Sequence, residues 1–248
     1  MVLKSWDDLP ENMKNDSVKR YYEILEEKRT SLIMKRSFDF IAATITLVIL
    51  LPLFLLISIA IKIDSKGPVM FRQVRITQYG KPFRIFKFRT MVNNAERLGT
   101  QVTTKNDGRV TRVGKILRKL RLDEVPQLLN IITGDMTFVG TRPEVLKYVE
   151  KYSEEMMATL LLPAGVTSEA SIQYKDEELL LANADNADET YVKKVLPEKM
   201  RYNLRSIEGF SFFSDIKTMF RTVLAVAQRD KITEKVSDVV ASDKNIHL

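Results

Sequence analysis

The chain has 248 residues, 45% of them hydrophobic, with no cysteine and a single histidine, His247, one residue from the C-terminus. Lack of cysteine removes disulfides, thiolate nucleophiles and Cys-bound metals, and any His triad, His metal cage or His general base would have to rest on a residue where chains fray. The formal charge of +7 is unevenly spread: residues 62–121 carry 16 basic and 3 acidic side chains, against 8 and 8 before them and 15 and 21 after them. Such a basic block suits an anionic lipid surface, a phosphorylated substrate or a nucleic acid, with a plain solvated face as the alternative.

Residues 1–31 are polar and of mixed charge, and Val18, Tyr21, Tyr22 and Leu25 fall at helical spacing within them. They read as an accessory helix behind a loose leader. Phe40 to Ile61 then contains no charged residue over 22 positions and carries Pro52 just past its middle. A helix of that length is about 33 Å long, near the thickness of a hydrocarbon core. Pro52 has no amide hydrogen and crowds the carbonyl of Val48, which favours a bend. The flanks are basic on both sides, with Lys35 and Arg36 before and Lys62 and Lys66 after. A plain span, a helix that bends back to one face and a buried core helix therefore all stay open. The run starts too far in, without a small-residue cleavage site, for a removable signal peptide.

Gly67-Pro68 punctuates the chain before two strand-like runs, Val69 to Ile76 and Phe83 to Met91, joined by a turn through Tyr79, Gly80 and Lys81. Apolar residues in the second run change phase between 85 and 86, which predicts a bulge that re-aims Lys87 and Arg89. Asn93 to Gly108 reads as loop with a short helix. From Arg109 to Arg121 the pattern RVTRVGKILRKLR gives a basic amphipathic helix, either packed on a core or lodged at an interface. Val125 precedes a proline and is expected outside the helical region, whereas Pro126 opens a helix through Thr133 capped by Gly134.

Asp123 and Glu124 thus sit in the joint between two helices, where the dipole of the second favours a negative charge, although helix capping alone would explain one acid there. Gly140-Thr141-Arg142-Pro143 sets an arginine on a stiff turn. A helical stretch is expected from Glu144 to about Leu162, ended by Pro163-Ala164-Gly165. Ile172 to Leu181 is ambiguous between strand and helix, Asn183 to Glu189 is an acidic loop without calcium-loop spacing, and helices resume over 190–207 and 213–228. The tail from 229 is polar.

No Walker A sequence and no GxGxxG turn is present. What remains is a carboxylate pair between helices, many Arg and Lys, and an apolar segment. Arginines near a protected carboxylate suit phosphoryl chemistry, and a hard cation such as Mg²⁺ fits a site without soft donors.

Several stretches together resemble one family. They are KRSFD (Lys35 to Asp39), the proline-containing run, GPVMFRQVR (Gly67 to Arg75), GKPFRIFKFRTM (Gly80 to Met91), RVTRVGKILRK (Arg109 to Lys119), LDEVPQLLNIITGDMTFVG (Leu122 to Gly140), TRPE (Thr141 to Glu144) and SDIKTMFRTVL (Ser214 to Leu224). In that order they are similar to the bacterial sugar transferases, monotopic phosphoglycosyl transferases that start glycan assembly on a polyprenyl (undecaprenyl) phosphate. The resemblance implies a mainly helical α+β monotopic membrane protein with a re-entrant helix broken at Pro52, a small β-hairpin and interfacial amphipathic helices. It implies that Asp123 attacks the β-phosphorus of a UDP-sugar, that Glu124 acts as base or positioning acid, and that Mg²⁺ bridges Asp123 and the diphosphate. Arg142, Lys87, Arg89 and Arg118 are the implied phosphate-binding residues.

On this reading residues 1–34 are accessory, 35–66 form the membrane helix, 67–228 form a catalytic domain on the cytoplasmic face of the inner membrane, and 229–248 are a tail. Homo-oligomerisation stays open, and no nucleic acid is expected, because the aromatic residues of the basic block form no stacking surface. A membrane-attached scaffold that binds anionic lipid is the alternative from another class. The sequence departs from the family pattern at Leu51, where Ser is frequent, at Thr141, where Pro is common, and in PAGVTSEAS (Pro163 to Ser171), which replaces a Pro-Gly-Ile-Thr-Gly-like segment.

Overall fold

The computed structural model describes residues 3–95, 107–174 and 186–225. The chain is mainly helical with two small sheets. Its organising element is the 36-residue helix α2 (Arg29–Asp64), preceded by α1 (Asp16–Glu27). By length and composition α2 could cross a membrane, with mean hydropathy 2.8 over its most apolar window. The chain stays helical through Pro52.

One stripe of α2 packs against the rest of the protein on both sides of that proline. Ala43, Leu47 and Leu50 meet Leu128, Ile131 and Met136, and Leu53, Phe54, Ile57 and Ile61 meet Phe88, Val113 and Leu117. The spacing 43, 47, 50, 54, 57, 61 keeps these residues on one face of a helix. On the other face Ile45, Val48, Ile49, Leu55, Leu56 and Ile59 are exposed.

Both ends of α2 are fastened to the same body. Lys35 is buried, donates to the carbonyl of Val139 at 2.9 Å and pairs with Asp215, while Thr137 donates to the buried carboxylate of Asp39. Arg36 donates to the carbonyls of Ile131 and Ile132 at 2.6 and 2.9 Å, a cation at the carbonyl end of a helix. At the far end Asp64 accepts from the amide of Val113 at 2.9 Å, satisfying one free N–H of the next helix.

The hairpin of β1 (Met70–Ile76) and β2 (Pro82–Phe88) follows, antiparallel and in unbroken register from Met70 opposite Phe88 to Ile76 opposite Pro82. The expected bulge is absent. The change of phase comes from apolar residues on both faces of a regular strand: Phe83 and Ile85 on one, Phe86 and Phe88 on the other, with Phe86 under the Arg72 guanidinium, 3.8 Å from its ring centre. Phe83 and Ile85 face α4, and Phe88 joins the cluster around Ile57. Helix α3 (Arg112–Lys119) is shorter than expected and is capped by Thr111, whose hydroxyl accepts from Gly114. Gly114 allows that helix to press on β2's exit, since a Cβ there would stand 2.0 Å from the carbonyl oxygen of Thr90.

Helix α4 (Gln127–Thr133) ends at Gly134 with φ 92°, as expected. Val125, however, is helical (φ −51°, ψ −38°), because the tight turn Leu122–Glu124 runs straight into α4 and overrides the pre-proline preference. Strand β3 (Met136–Val139) pairs in parallel with β4 (Ala164–Thr167). The expected helix over 144–162 is therefore corrected to the short α5 (Leu146–Val149) and a tight turn Met156–Leu161, and the Pro163 break leads into a strand. Gly140 and Gly165 let this crossing close, since a Cβ on Gly165 would lie 2.2 Å from Gly140 backbone.

The remainder comprises α6 (Glu169–Gln173), α7 (Ala187–Thr190), a π turn (Tyr191–Val195), α8 (Leu196–Glu208) and a helix α9 over 212–225. The ambiguous stretch beyond 174, most of the acidic loop and the polar tail lie outside the described residues.

The N-terminal segment is no loose leader. Leu3, Leu9, Met13, Val18, Tyr21, Tyr22 and Leu25 are buried in the largest core cluster with Tyr79, Leu160, Leu161, Leu204 and Ile207. The Tyr79 hydroxyl, in the hairpin turn, accepts from the amide of Lys4 at 3.0 Å, so chain from before α2 meets chain from after it.

Candidate active site

Asp123 and Glu124 lie in the turn between α3 and α4, entered through Arg121 in the left-handed region at φ 57°. This turn faces the end of β2, which supplies Lys87, and the loop after β3, which supplies Arg142. Glu124 Oε1 accepts from Lys87 Nζ at 2.8 Å and from Arg142 Nη2 at 2.6 Å. Burial by itself would push the Glu124 carboxyl up, but the Arg142 and Lys87 charges and their hydrogen bonds outweigh it and hold the group well below the usual carboxylate range. Burial pushes the Lys87 ammonium down, against the pull of Glu124.

Asp123 is the opposite case. It is half-buried, and its carboxylate has no hydrogen bond or ion pair among the described residues. Burial, and then the neighbouring Glu124 charge, raise its pKa above the ordinary value, with Lys87, Arg118 and Arg121 pulling the other way. Two adjacent carboxyls are thus driven apart: one is locked as an anion by two cations, and the other is a less stabilised carboxylate with free lone pairs. Such divergence between neighbours marks a division of labour in a reactive site.

Of the residues expected at this site, Lys87 and Arg142 converge on it, and Arg118 stands beside it, its Nε bonded to the Thr90 hydroxyl at 2.9 Å and its charge acting on Asp123. Arg89 does not. It is 5% exposed, and its guanidinium donates to the carbonyls of Ser65 and Lys66 and to the Ser65 hydroxyl at 2.6 to 3.1 Å. With the strand regular up to Phe88, Arg89 points at the end of α2 and closes that helix.

Arg75 was not expected. Its cross-strand partner is Phe83, and Gln73 and Arg75 share the hairpin face of Phe83, Ile85 and Lys87. Its guanidinium donates to Pro143 O at 3.3 Å and to Gln73 Oε1 at 2.8 Å. The only signal for it in sequence was strand alternation, and what brings it to the site is its contact with the turn after β3, at Pro143. Gln127, four residues after Asp123, is 1% exposed with neither amide atom hydrogen-bonded.

A carboxylate with open lone pairs is thus set among cations at a helix joint. The description bacterial sugar transferase matches residues 30–229, and the chain belongs to that family. It is 36% identical over 196 residues to the UDP-N-acetylgalactosamine-undecaprenyl-phosphate N-acetylgalactosaminephosphotransferase of Aeromonas hydrophila, covering 78% of this chain and 43% of that protein. It is 35% identical over 195 residues to the UDP-glucose:undecaprenyl-phosphate glucose-1-phosphate transferase of Escherichia coli K12, covering 77% and 39%. With the exopolysaccharide production protein ExoY of Rhizobium meliloti it shares 35% identity over 207 residues, 77% of this chain and 84% of that one. The chain thus spans about two-fifths of the first two relatives and most of the third. Residues 3–28, which build so much of the core, precede the matched region.

Proposed function

We propose that this protein transfers a sugar-1-phosphate from a UDP-sugar to a polyprenyl phosphate, the first membrane step in assembling a glycan or exopolysaccharide. The observation that carries this reading is the Asp123 carboxylate, unpartnered beside a Glu124 saturated by Lys87 and Arg142. In the reaction an Asp123 oxygen attacks the β-phosphorus of the donor, and the bond from that phosphorus to the bridging oxygen breaks. UMP leaves with the electron pair, and a phosphosugar-aspartyl ester remains. An oxygen of the polyprenyl phosphate then attacks the same phosphorus and returns Asp123 to its carboxylate form, so neither step needs a proton donor.

Glu124, held so far below the ordinary range, is a poor base, and its role is to fix Lys87 and Arg142 where the donor's phosphate oxygens arrive. Arg118 supplies further positive charge beside Asp123. Among the described residues no group of three or more His, Asp or Glu could cage a metal. Asp123 alone, with phosphate oxygens and water, nevertheless matches how Mg²⁺ is usually held, and the buried unsatisfied amide of Gln127 is a second oxygen nearby in sequence. When bound there, Mg²⁺ supplies neutralisation of charge on the diphosphate.

Helix α2 enters the inner leaflet and returns, with Pro52 at its deepest point and the site at the cytoplasmic face. Supporting this are the exposed apolar outer face, the packed inner stripe on both sides of Pro52 and the contact of Lys4 with Tyr79 across the helix. The test of topology uses the cysteine-free background: Lys4→Cys and Lys81→Cys should both react with an impermeant thiol reagent from the cytoplasmic side, and labelling of either from outside refutes the return.

The test of chemistry is intact-protein mass spectrometry with a panel of UDP-sugars. One of them should release UMP and add one sugar-phosphate to the protein at Asp123. Turnover without any adduct on Asp123 refutes the covalent route.

A further inference from the structure

Around the turn after β3 one guanidinium, that of Arg75, has no carboxylate at ion-pair distance among the described residues. Glu124 is committed to Lys87 and Arg142. The next carboxylate, the buried Glu144, accepts from the Tyr191 hydroxyl and lies 3.6 Å from Lys199 Nζ. Arg75, whose charge is felt by both Glu144 and Arg142, is left without a carboxylate at ion-pair distance among the described residues. Its two hydrogen bonds go to neutral oxygens. A guanidinium has five N–H donors in a rigid fork, so three remain open.

Burial, reinforced by the like charge of Arg142 and opposed by Glu144, pulls the Arg75 pKa down. A cation kept in such surroundings costs stability unless an anion joins it. The bond from Arg75 to the carbonyl of Pro143 places this guanidinium against the residue that follows Arg142. Gln73 fixes its orientation from the same strand face. Two forks therefore stand side by side: Arg142 is tied to Glu124 next to Asp123, and Arg75 stands on the hairpin side with donors to spare. Paired forks of this kind match the oxygens of phosphate groups, which Arg binds in bidentate fashion.

We propose that Arg75 is a substrate-binding residue, which with Arg142 grips the diphosphate of a nucleoside diphosphate, Arg75 from the hairpin side and Arg142 from the Asp123 side. The identity of the anion rests on the donor assigned above; the vacancy in the charge balance does not.

The test is calorimetric titration of the full-length, detergent-solubilised protein with UDP. Arg75→Gln should weaken UDP binding at least tenfold while its melting temperature stays within a few degrees of the parent. Arg75→Lys, which keeps the charge and loses the fork, should weaken it three- to tenfold. A folded Arg75→Gln protein that binds UDP within twofold of the parent overturns the proposal. Should that variant fail to fold, Arg75→Lys binding within twofold overturns it instead. The two readings fail separately: if the parent releases no UMP from any UDP-sugar yet binds UDP through Arg75, sugar transfer falls and the anion site stands. If the parent forms the adduct and Arg75→Gln forms it with unchanged KM, the Arg75 assignment falls alone.

Discussion

Replacing Glu124 with Gln removes a single charge and keeps the shape, which makes it a sharp probe of the site's electrostatics. In the parent, Oε1 of Glu124 takes two charge-assisted hydrogen bonds, from Lys87 at 2.8 Å and Arg142 at 2.6 Å. Glutamine leaves two half-buried cations facing each other, with the Asp123 carboxylate alone to offset them. Breaking a buried pair by removing one partner costs about 3–5 kcal/mol, and the partial exposure of Arg142 brings the expectation to the lower end, about 3 kcal/mol at pH 7. That corresponds to a fall in melting temperature of roughly 6–12 °C for a chain of this size.

The variant should also respond to pH in a way the parent does not. Burial already lowers the Lys87 pKa, and without Glu124 it falls further. A lysine whose folded pKa lies below its unfolded value binds fewer protons folded than unfolded. Stability therefore rises with pH between those two values, with a slope of up to about 1.4 kcal/mol per unit. In the variant this rise should begin at lower pH than in the parent, so the gap between them narrows toward pH 10. Thermal unfolding followed by far-ultraviolet circular dichroism across pH 6–10 reads both effects. A loss below about 0.5 kcal/mol, or one constant across that range, would refute the reasoning.

Four further outcomes follow from the same structure. Asp123→Asn should abolish UMP release yet raise the melting temperature by about 2–4 °C, because it removes a charge that burial and Glu124 both disfavour; a lowered melting temperature argues against that assignment. In the parent the same raised pKa should put the acidic limb of adduct formation above the ordinary aspartate value of about 3.9, measured by rapid-quench mass spectrometry against pH. Gly114→Ala should destabilise by roughly 3 kcal/mol or more in chemical denaturation, since its Cβ would stand 2.0 Å from backbone that cannot swing aside, and Leu25→Ala should cost about 2–5 kcal/mol if the N-terminal segment is part of the core.

What the sequence made legible was local. The joint at Asp123, the helix from Pro126 to Gly134 and the hairpin around Tyr79 are all written in turn and cap residues, and the structure has them. Long-range geometry was harder. Met136–Val139 and Ala164–Thr167 are four residues each, too short for alternation to show, and they pair only because two glycines let the backbones touch. Arg89 and Lys87 are two residues apart in one motif, yet the strand ends between them, so one serves the helix end and the other the site. Arg75 could be placed against the turn that carries Arg142 only once the hairpin was seen to meet Pro143. The N-terminal segment reads as an accessory helix behind a loose leader because its polar residues outnumber the apolar ones, although the few apolar side chains fall where a core needs them.

The buried lysine at the head of α2 also sets a clock. Lys35 finds Asp215 only 180 residues later in the chain, and Arg20 meets Glu208 after 188. At ribosomal rates of about 5–20 residues per second, those partners emerge roughly 10–40 s after the helix does. Throughout that interval the carboxylate open to Lys35 is Asp39, one turn along the same helix, while the residues that cover the inner stripe of α2, between Phe88 and Met136, emerge sooner. The clusters along the inner face of α2 can therefore assemble before the two ion pairs that tie residues 208–215 back to the start of the chain.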